Sequence, residues 1–346
     1  MNGFVCPSPL SATETVLLGH GSGGKLSSEL LHSIFLPAFD NPLLQRLEDQ
    51  AVLEFGGIRL AFTTDSFVAK PLFFRGGDIG SLAVHGTVND LAMCGARPVA
   101  LSAAFILEEG FPLSDRRRIA DSTARAASIA GVTIVTGDTK VVERGSGDGV
   151  YITTTGIGIV RPGANLSAAH ARPGDAVLLS GAIGDHGIAM LSAREGLELD
   201  GEIASDSAPL NGLVEAMLAV TNQVHAMRDP TRGGLASTLN EIANQSHVGI
   251  AVREDTIPVH AGVRGACELL GLDPLHVANE GKLVAFVPME HAAEMVAAMR
   301  RHPLGVEAAI IGTVTDREPG MVTMRTVFGT TRIVDMLPGD QLPRIC

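Results

Sequence analysis

Two Pro-Gly turns near the middle of the chain divide it into two series of alternating strand-like and helix-like segments. They lie at 161–163 and 171–175, and in each a proline is followed directly by a glycine, a pair that marks a break between elements. With 346 residues, the chain is long enough for about two domains. We therefore predict an α/β (α+β) protein with domains at 41–163 and 171–334, preceded by a glycine-rich segment at 1–40.

The hydrophobic periodicity of each unit predicts its elements. In the first unit we expect helices at 27–35, 78–94 and 114–130, the last with Ser114 as N-cap, and strands at 58–64, 99–107, 132–135 and 150–160. In the second unit we expect helices at 187–195, 211–221, 235–245 and 292–301, and strands at 176–180, 250–253, 283–288, 308–314 and within 321–334.

The charge balance limits the possible partners. Acidic residues outnumber basic ones by 38 to 26, which gives a net charge of -12. Nucleic acids and anionic membranes attract basic surfaces, so neither is an expected partner. The sequence contains neither an apolar run of the ~18 residues that a membrane span needs nor an N-terminal signal pattern, and we expect a cytoplasmic protein.

A glycine loop, Gly19-His-Gly-Ser-Gly-Gly-Lys25, nearly matches the phosphate-loop pattern. It follows an apolar run at 16–18 and precedes a predicted helix, but Leu26 stands where that pattern needs a hydroxyl for magnesium. A flexible loop that folds over a nucleotide fits better than a true phosphate loop, and a simple surface turn is the third possibility.

Three aspartates of the first unit fall at or near the ends of predicted elements: Asp65, Asp90 and Asp138. Carboxylate oxygens gathered in this way suit magnesium, which in turn binds substrate phosphates. For any one aspartate a capping or turn role is more common. Three of the four lysines also lie in glycine or acidic motifs, where each supplies a compact positive charge: Lys25, Lys140 and Lys282.

Two motifs of the second unit carry further candidates. Asp229-Pro-Thr-Arg-Gly-Gly234 precedes a predicted helix, so backbone N–H groups and Arg232 could bind an anion there. A capped turn, with Asp229 as the cap and Pro230 in the first turn, explains the same residues. Glu280 is a candidate general base if its site excludes water.

The cysteines include one distinctive residue. No Cys-x-x-Cys pair occurs, and Cys94 and Cys267 are expected to be small buried hydrophobic residues. Cys346 is the last residue and follows a segment with two prolines and a glycine, which predicts a mobile arm at 335–346. An accidental terminal thiol is the alternative.

Taken together, these motifs resemble the hydrogenase expression/formation protein HypE family, within the PurM-like (aminoimidazole ribonucleotide synthetase-like) superfamily. The resemblance spans essentially the whole chain. The motifs behind it are Gly21-Ser-Gly-Gly24, Thr64-Asp-Ser-Phe67, His85-Gly-Thr-Val-Asn-Asp-Leu-Ala-Met-Cys-Gly-Ala96, Gly137-Asp-Thr-Lys140, Asp229-Pro-Thr-Arg-Gly-Gly234, Asn279-Glu-Gly-Lys282 and Pro343-Arg-Ile-Cys346.

The resemblance implies a two-domain PurM-like fold, a homodimer, and an ATP-dependent carbamoyl dehydratase that acts on its own tail. A carbamoyltransferase of the HypF type would load Cys346, and the chain would convert the S-carboxamide to an S-cyanide (thiocyanate). The cyanide would then pass to iron on a HypC–HypD scaffold complex, as a ligand of the [NiFe]-hydrogenase active site. ATP and Mg²⁺ are the implied cofactors.

The resemblance also implies roles for residues in these motifs. Cys346, Glu280 and Lys140 would be catalytic, and Asp65, Asp90 and Asp138 would hold magnesium. The nucleotide and its phosphates would be bound by Gly21, Gly23, Gly24, Lys25, Asn89, Thr231, Arg232, Gly233 and Lys282.

Two other functions remain open at this stage. Another enzyme of the superfamily, such as a purine-pathway synthetase or a selenium- or thiamine-phosphate kinase, would act on a free small substrate and would not need Cys346. A non-catalytic scaffold would use its acidic surface and mobile tail only to dock a partner. Loss of one water from a carbamoylated tail on addition of ATP distinguishes the dehydratase from both.

Overall fold

The structure is a computed structural model that describes residues 15–197, 203–339, 342 and 344–346. Its first elements are a 3₁₀ turn at Leu18–Gly21, helix α1 (Lys25–Leu30), a π-helical turn at Leu31–Phe35 and helix α2 (Leu36–Phe39). Residues 16 and 17 are not in a strand. The described residues directly before Gly19 therefore do not form the strand that a phosphate loop requires.

The first unit is a five-stranded sheet with helices on one face. Its strands are β1 (Ala51–Phe55), β2 (Ile58–Phe67), β5 (Ala96–Glu108), β6 (Thr133–Val142) and β7 (Val150–Val160), in the order β1-β2-β7-β5-β6. A short hairpin, β3 (Phe73–Phe74) and β4 (Gly77–Asp78), leads into α3 (Ile79–Met93), and α4 (Leu113–Ala130) joins β5 to β6. Only β5 and β6 are parallel, as expected for strands joined by a crossover helix.

Helix α3 is the central element of this unit. Asp78 caps it, because its Oδ1 accepts hydrogen bonds from the N–H groups of Gly80 (2.8 Å) and Ser81 (3.0 Å). Nearly every residue of the helix is buried, since β2, β5 and β7 pack on one side of it and α4 on the other. The cap predicted at Ser114 is wrong: α4 begins at Leu113, after Pro112.

The other face of the five-stranded sheet is not covered by the part of the chain that the structure describes. Large apolar side chains from neighbouring strands are exposed on it, among them Phe62, Ile106, Ile157 and Ile159. Apolar side chains gathered on one open sheet face are typical of a protein–protein interface.

The second unit is built on a seven-stranded sheet. Its strands are β8 (Asp175–Leu179), β9 (Ala226–Arg228), β10 (Gly249–Arg253), β11 (Val284–Pro288), β12 (Ala309–Thr315), β13 (Val322–Arg325) and β14 (Thr331–Ile333), in the order β14-β13-β10-β12-β8-β11-β9. Its helices are α5 (Asp185–Glu195), α6 (Asn211–Leu218), α7 (Gly234–Ser246), α8 (Ala261–Leu270) and α9 (Met289–Arg300). Sequence patterning did not predict α8, which contains Cys267.

A shared apolar core joins the two units. Leu91 and Ala92 of α3 belong to the same buried cluster as three residues of the second unit: Leu178 of β8, Met295 of α9, and Leu283, which lies just before β11. Residues from both units can therefore be held at fixed positions around a common cavity.

In the described part of the chain, no helix has both the length and the apolar character needed to cross a membrane.

Replacement of the α3 cap tests how far the fold depends on this helix. We expect Asp78→Ala to destabilise the protein by about 1 kcal/mol, because two N–H groups at the start of a buried helix lose their acceptor. A lower Tm by calorimetry is the readout. Asp121→Ala, an exposed position in the middle of α4, is the matched control and should leave the Tm unchanged; an equal effect of both variants would contradict the capping role.

Candidate active site

A cavity of about 210 Å³ lies where the two units meet. It is lined by residues of β2, of α3, of the loop before α7 and of the loop before β11, together with the last residue of the chain. These residues are Asp49, Thr64, Asp65, Gly86, Asp90, Asp229, Thr231, Arg232, Glu280 and Cys346. We call this the carboxylate cavity.

The pairing of β2 with β7 turns Asp65 towards α3. Asp65 lies directly opposite Thr154, and opposite residues of an antiparallel pair share one face of the sheet. Thr154 is fully buried and donates a hydrogen bond to the carbonyl of Ala83 in α3 (3.0 Å). A Cβ atom on Gly86 would come within 2.9 Å of the Phe67 ring and 3.5 Å of Asp65 Oδ2. Glycine at 86 therefore lets helix and strand approach closely beside the carboxylate.

Asp90 enters the cavity from α3, one turn beyond Gly86. Its Oδ2 accepts a hydrogen bond from Thr63 Oγ1 at 2.9 Å. Burial raises the pKa of Asp90 well above its ordinary value, and the neighbouring charges of Asp229 and Asp65 raise it further. The same two causes act on Asp229, where burial and the charge of Asp49 raise the pKa to about 8.

Glu280 is the most deeply buried acid of the site. It is 3% exposed, and its Oε1 is buried without a hydrogen-bond partner among the described residues. Burial, followed by the charges of Asp229, Asp65 and Asp206, raises the pKa of Glu280 well above its ordinary value, while Arg232 lowers it. A buried carboxylate with a spare oxygen and a high proton affinity is suited to act as a general base.

The loop before α7 brings Arg232 to the same cavity. Gly233 is the N-cap of α7, with φ of +75°, so the prediction that Asp229 caps this helix is wrong. The guanidinium of Arg232 donates to the carbonyl of Gly21 at 2.8 Å, and a Cβ on Gly23 would lie 2.6 Å from Arg232 Cβ. The charge at Cys346 is the largest cause that raises the pKa of Arg232.

A second cavity of about 340 Å³ adjoins the first and shares Arg232 and Cys346 with it. Its other lining residues come from the glycine loop, β2, β7 and the tail: Leu18, Gly21, Ser22, Ser66, Val68, Tyr151, Arg344 and Ile345. The predicted phosphate-binding residues Gly21 and Arg232 therefore lie together beside a space next to the carboxylates.

The end of the chain is docked against the first unit. The N–H groups of Val68 and Lys70 donate to the carbonyls of Cys346 and Arg344, each at 3.0 Å. Ile345 is buried in the apolar cluster that contains Phe67. Sequence patterning predicts a mobile arm, which stays a prediction, but it did not predict this backbone pairing.

Several predicted site residues contact other partners. Lys25 forms an ion pair with Asp335 (2.7 Å) and donates its backbone N–H to Leu337 (3.1 Å), while a Cβ on Gly24 would lie 2.6 Å from the carbonyl of Leu337. Lys282 forms a buried ion pair with Asp206 at 3.1 Å. None of these residues lines the carboxylate cavity.

Asn89 also lies behind the cavity wall. Its amide donates to the carbonyls of Ala208 (3.1 Å) and Glu280 (3.4 Å), and its Oδ1 accepts from Leu210. Within a single chain it braces the loops around Glu280.

Asp138 and Lys140 lie elsewhere, on the exposed edge strand β6. The sequence places Asp138 at a strand end, but β6 continues to Val142. In the sheet register Asp138 faces Ala104 and Lys140 faces Ile106, so both point to the open sheet face that carries Ile106. Their ammonium–carboxylate distance is 2.8 Å. They do not line the carboxylate cavity of their own chain.

The described residues contain no group of three or more metal-ligating side chains close enough to hold a metal ion. Asp65 and Asp90 do lie in one cavity, and their oxygens are the donors that Mg²⁺ prefers. Burial is the largest cause of their raised pKa values, and neighbouring carboxylates raise these values further. A divalent cation would relieve this concentration of negative charge. The residues present therefore fit magnesium, without Asp138 from the same chain.

Sequence reasoning missed Asp49, Gly86 and Asp206. Asp49 lies just before β1, and its charge raises the pKa of Asp229. Asp206 lies in a polar Ser-Asp-Ser stretch that looks like an ordinary turn in the sequence. Only the fold shows that these residues approach the carboxylates.

The domains of this fold match a known family. The AIR synthase related protein, N-terminal domain, matches residues 47–160, and the C-terminal domain of the same family matches residues 172–324. The two-domain architecture with a cavity between the units is thus that of an AIR synthase related protein.

Full-length relatives narrow this class further. Carbamoyl dehydratase HypE of Azotobacter vinelandii is 59% identical over 332 residues, which cover 96% of this chain and 97% of the relative. Carbamoyl dehydratase HypE of Escherichia coli K12 is 46% identical over 336 residues, 96% of this chain and 99% of the relative. The chain therefore belongs to the HypE family of carbamoyl dehydratases.

Solved structures agree with that assignment. HypE in a HypE–HypF complex superposes with a TM-score of 0.86 at 52% identity, covering 89% of this chain and 99% of that one. The hydrogenase maturation protein HypE in complex with ATP superposes with a TM-score of 0.81 at 51% identity, covering 96% of this chain and 100% of that one.

The buried carboxylates predict an unusual response of stability to pH. The pKa of Glu280 in the folded chain is above its ordinary value of 4.5. As the pH rises past 4.5, the unfolded chain therefore releases this proton while the folded chain still holds it. The stability contributed by this proton is therefore lost as pH rises. We expect Glu280→Gln, which cannot ionise, to raise the Tm, and to raise it more at about pH 8 than at about pH 5.

Thermal unfolding of both proteins across this pH range measures the difference. Glu294→Gln, at an exposed position of α9, is the matched control. An increase in Tm that does not depend on pH would contradict the raised proton affinity of Glu280.

Proposed function

We propose that this chain uses ATP to dehydrate an S-carboxamide on its own Cys346 to an S-cyanide, the source of the cyanide ligands of the [NiFe]-hydrogenase iron. The observation that carries the proposal is the position of Cys346, which lines one cavity with Asp65, Arg232 and Glu280. A substrate attached to the tail reaches these groups at high effective concentration, without a separate binding step.

The reaction needs an activated oxygen, because an amide oxygen is a poor leaving group. In the first step the carboxamide oxygen attacks the γ-phosphorus of ATP, an N–H proton goes to a base, and ADP leaves. In the second step the remaining N–H proton is removed, the C–O bond breaks, and phosphate leaves as the C≡N bond forms. The sum is carboxamide plus ATP to nitrile, ADP and phosphate.

Glu280 is the proposed base for these proton transfers. Its spare Oε1 is buried in the wall of the cavity that Cys346 lines. Burial raises its pKa, so Glu280 binds a proton more tightly than an ordinary glutamate does, which favours proton acceptance. Lys140 is proposed to assist this proton transfer. Because it lies on the open sheet face, it would have to act from a second copy of the chain.

ATP is proposed to place its phosphates in the adjoining cavity of about 340 Å³, beside Arg232 and the glycine loop. Arg232 supplies the fixed positive charge there, close to Gly21 and Gly23 of the glycine loop and to Thr231 and Gly233 of the loop before α7. Asp65 and Asp90 would hold magnesium, which neutralises phosphate charge when bound. Because the reaction consumes ATP, we place it in the cytoplasm.

The open sheet face is the proposed homodimer interface. It carries the exposed apolar residues Phe62, Ile106 and Ile157, and the same face carries Asp138 and Lys140. Pairing of two such faces would bury the apolar side chains and bring the Asp138 and Lys140 of one copy towards the other copy. Both residues would then act in the cavity of the partner subunit.

The tail must also reach other proteins. A HypF-type carbamoyltransferase is the proposed donor of the carbamoyl group, and a HypC–HypD complex is the proposed acceptor of the cyanide. From Asp335 to Cys346 an extended chain spans on the order of 35 Å. Release of the backbone bonds at Val68 and Lys70 would allow Cys346 to travel that far.

Intact-mass analysis tests the reaction itself. With Cys346 carbamoylated, ATP and magnesium should remove one water from the C-terminal peptide, whereas Glu280→Gln should bind ATP and leave the carboxamide unchanged. Burial raises the pKa of Cys94 to about 12 and that of Cys267 to about 11, so these thiols serve as internal controls that carry no carbamoyl group. Water loss in Glu280→Gln would remove Glu280 from the mechanism, and turnover without Cys346 would favour a kinase or synthetase.

Mixed dimers test whether Lys140 acts in the partner subunit. We expect Glu280→Gln and Lys140→Ala to be inactive as pure dimers, but a mixed dimer to regain one working site, since it combines Glu280 of one copy with Lys140 of the other. Co-expression with two affinity tags isolates the mixed species, and the rate of water loss is the readout. A mixed dimer as inactive as its parents would exclude this arrangement.

A further inference from the structure

The segment 203–210 precedes α6 and packs between α3 of the first unit and the loop that carries Glu280. Its side towards α3 is fixed by Asn89, whose Oδ1 accepts from Leu210 at 2.8 Å and whose amide donates to Ala208 at 3.1 Å. Its other side approaches the loop before β11 so closely that a Cβ on Gly281 would lie 1.8 Å from the carbonyl of Asp206. We call residues 203–210 the bridging loop.

Asp206 is the charged residue of the bridging loop, and its two oxygens have different partners. Oδ1 accepts a hydrogen bond from the backbone N–H of Glu280 at 3.0 Å. Oδ2 lies 3.1 Å from the ammonium of Lys282, and the side chains of Lys282 and Asp206 are only 14% and 3% exposed. A buried carboxylate requires such compensation, because an unpaired charge at this depth is strongly unfavourable.

We propose that Asp206 is a positioning residue that fixes Glu280 for proton transfer, and that Lys282 neutralises Asp206 rather than binding phosphate. This inference rests on the proposed function, because it takes Glu280 to be the base. It also assigns Lys282 a role that sequence reasoning did not foresee.

The docked tail is connected to the same loop through His186 of α5. The ring Nε2 of His186 lies 2.9 Å from the carbonyl of Ile345, and Nδ1 lies 2.8 Å from Ser205 Oγ. A carbonyl can only accept, so Nε2 carries the proton and Nδ1 accepts from the Ser205 hydroxyl. The N–H of Ser207 donates to that hydroxyl oxygen at 3.1 Å, so every donor in this chain of bonds has an acceptor.

This set of hydrogen bonds connects the tail that carries Cys346 to the proposed base, Glu280. Docking of Ile345 orients His186, His186 orients Ser205, and the next residue is Asp206, which holds the Glu280 backbone. Burial lowers the pKa of His186, which favours the neutral ring that this pattern needs. Docking of the substrate-carrying tail and the position of Glu280 are thereby coupled.

A charge-neutral double substitution tests the Asp206–Lys282 pair. Lys282→Met leaves Asp206 buried without compensation, and Asp206→Asn leaves Lys282 without its counter-charge. We expect each single variant to lower kcat for water loss on the order of 100-fold, with an unchanged KM for ATP. The double variant keeps an oxygen acceptor for the Glu280 N–H and has no unpaired charge, so it should recover most of the rate.

The comparison includes three controls. Asp121→Asn, on the exposed side of α4, should match wild type, and Tm measurements establish that each variant is folded at the assay temperature. Glu280→Gln tests the proposed base separately: if this variant still removes water from the tail, Glu280 is not the base, although the proposed reaction itself stands. If Glu280→Gln is inactive, a double variant slower than both singles, or a higher KM for ATP in Lys282→Met, overturns the role of the pair.

Hydrogen exchange tests whether the bridging loop is connected to the tail through Ser205. The variant Ser205→Ala removes only one hydroxyl group. Ser205→Ala should increase deuterium uptake in peptides that cover 203–210 and 277–283, and should lower the rate of water loss. Ser192→Ala, which removes a hydroxyl bonded to Leu197 on the same helix as His186, is the matched control. Unchanged uptake around Glu280 in Ser205→Ala would overturn the coupling.

Discussion

The burial of several carboxylates close to one another is the dominant feature at the centre of this molecule. Asp65, Asp90, Asp229 and Glu280 line one cavity of about 210 Å³ that also contains Arg232. Burial and mutual repulsion raise the pKa of each acid. Such an arrangement lowers stability at neutral pH, and proteins retain it where proton transfer or cation binding requires it. The fold supports it with the capped and almost wholly buried helix α3, and with a core that spans both units.

The same cavity contains the end of the chain. Backbone pairing with Val68 and Lys70, burial of Ile345 and the bond from His186 together place Cys346 at the carboxylates. Residues separated by most of the sequence are thus held within one small volume. In a family of carbamoyl dehydratases, this geometry is the one that the proposed reaction on the chain's own tail requires.

Sequence patterning predicted the elements that depend on local periodicity. The strands β8 and β11 are continuous apolar runs, and the pattern predicts them correctly. The motifs also indicate five residues that the fold brings to one cavity: Asp65, Asp90, Arg232, Glu280 and Cys346. Patterning failed where the outcome depends on distant partners. The ion pair of Lys25 forms with a residue 310 positions away, and no local motif shows that Lys282 is paired with Asp206.

Edge strands and exposed helices were also harder to predict. Strand β6 continues through Gly137 and Asp138, because pairing with β5 maintains it to Val142, whereas glycine and aspartate locally favour a turn. Helix α8 lacks a side-chain cap and was not predicted. The positions of Asp138 and Lys140 on an open face depend on the sheet register, which single-residue patterns do not contain.

The N–H groups of Val68 and Lys70 hold the last residues through main-chain carbonyls, and the Arg344 side chain adds a bond to the Val68 carbonyl; none of these contacts involves the sulfur of Cys346. Main-chain recognition does not depend on what the sulfur of Cys346 carries. Empty, carbamoylated and cyanated tails would therefore enter in the same register, and any discrimination between them would have to arise at the sulfur itself. Under the proposed function, a docked tail that still carries its product cannot be reloaded, so departure of the product would be an obligatory part of each cycle.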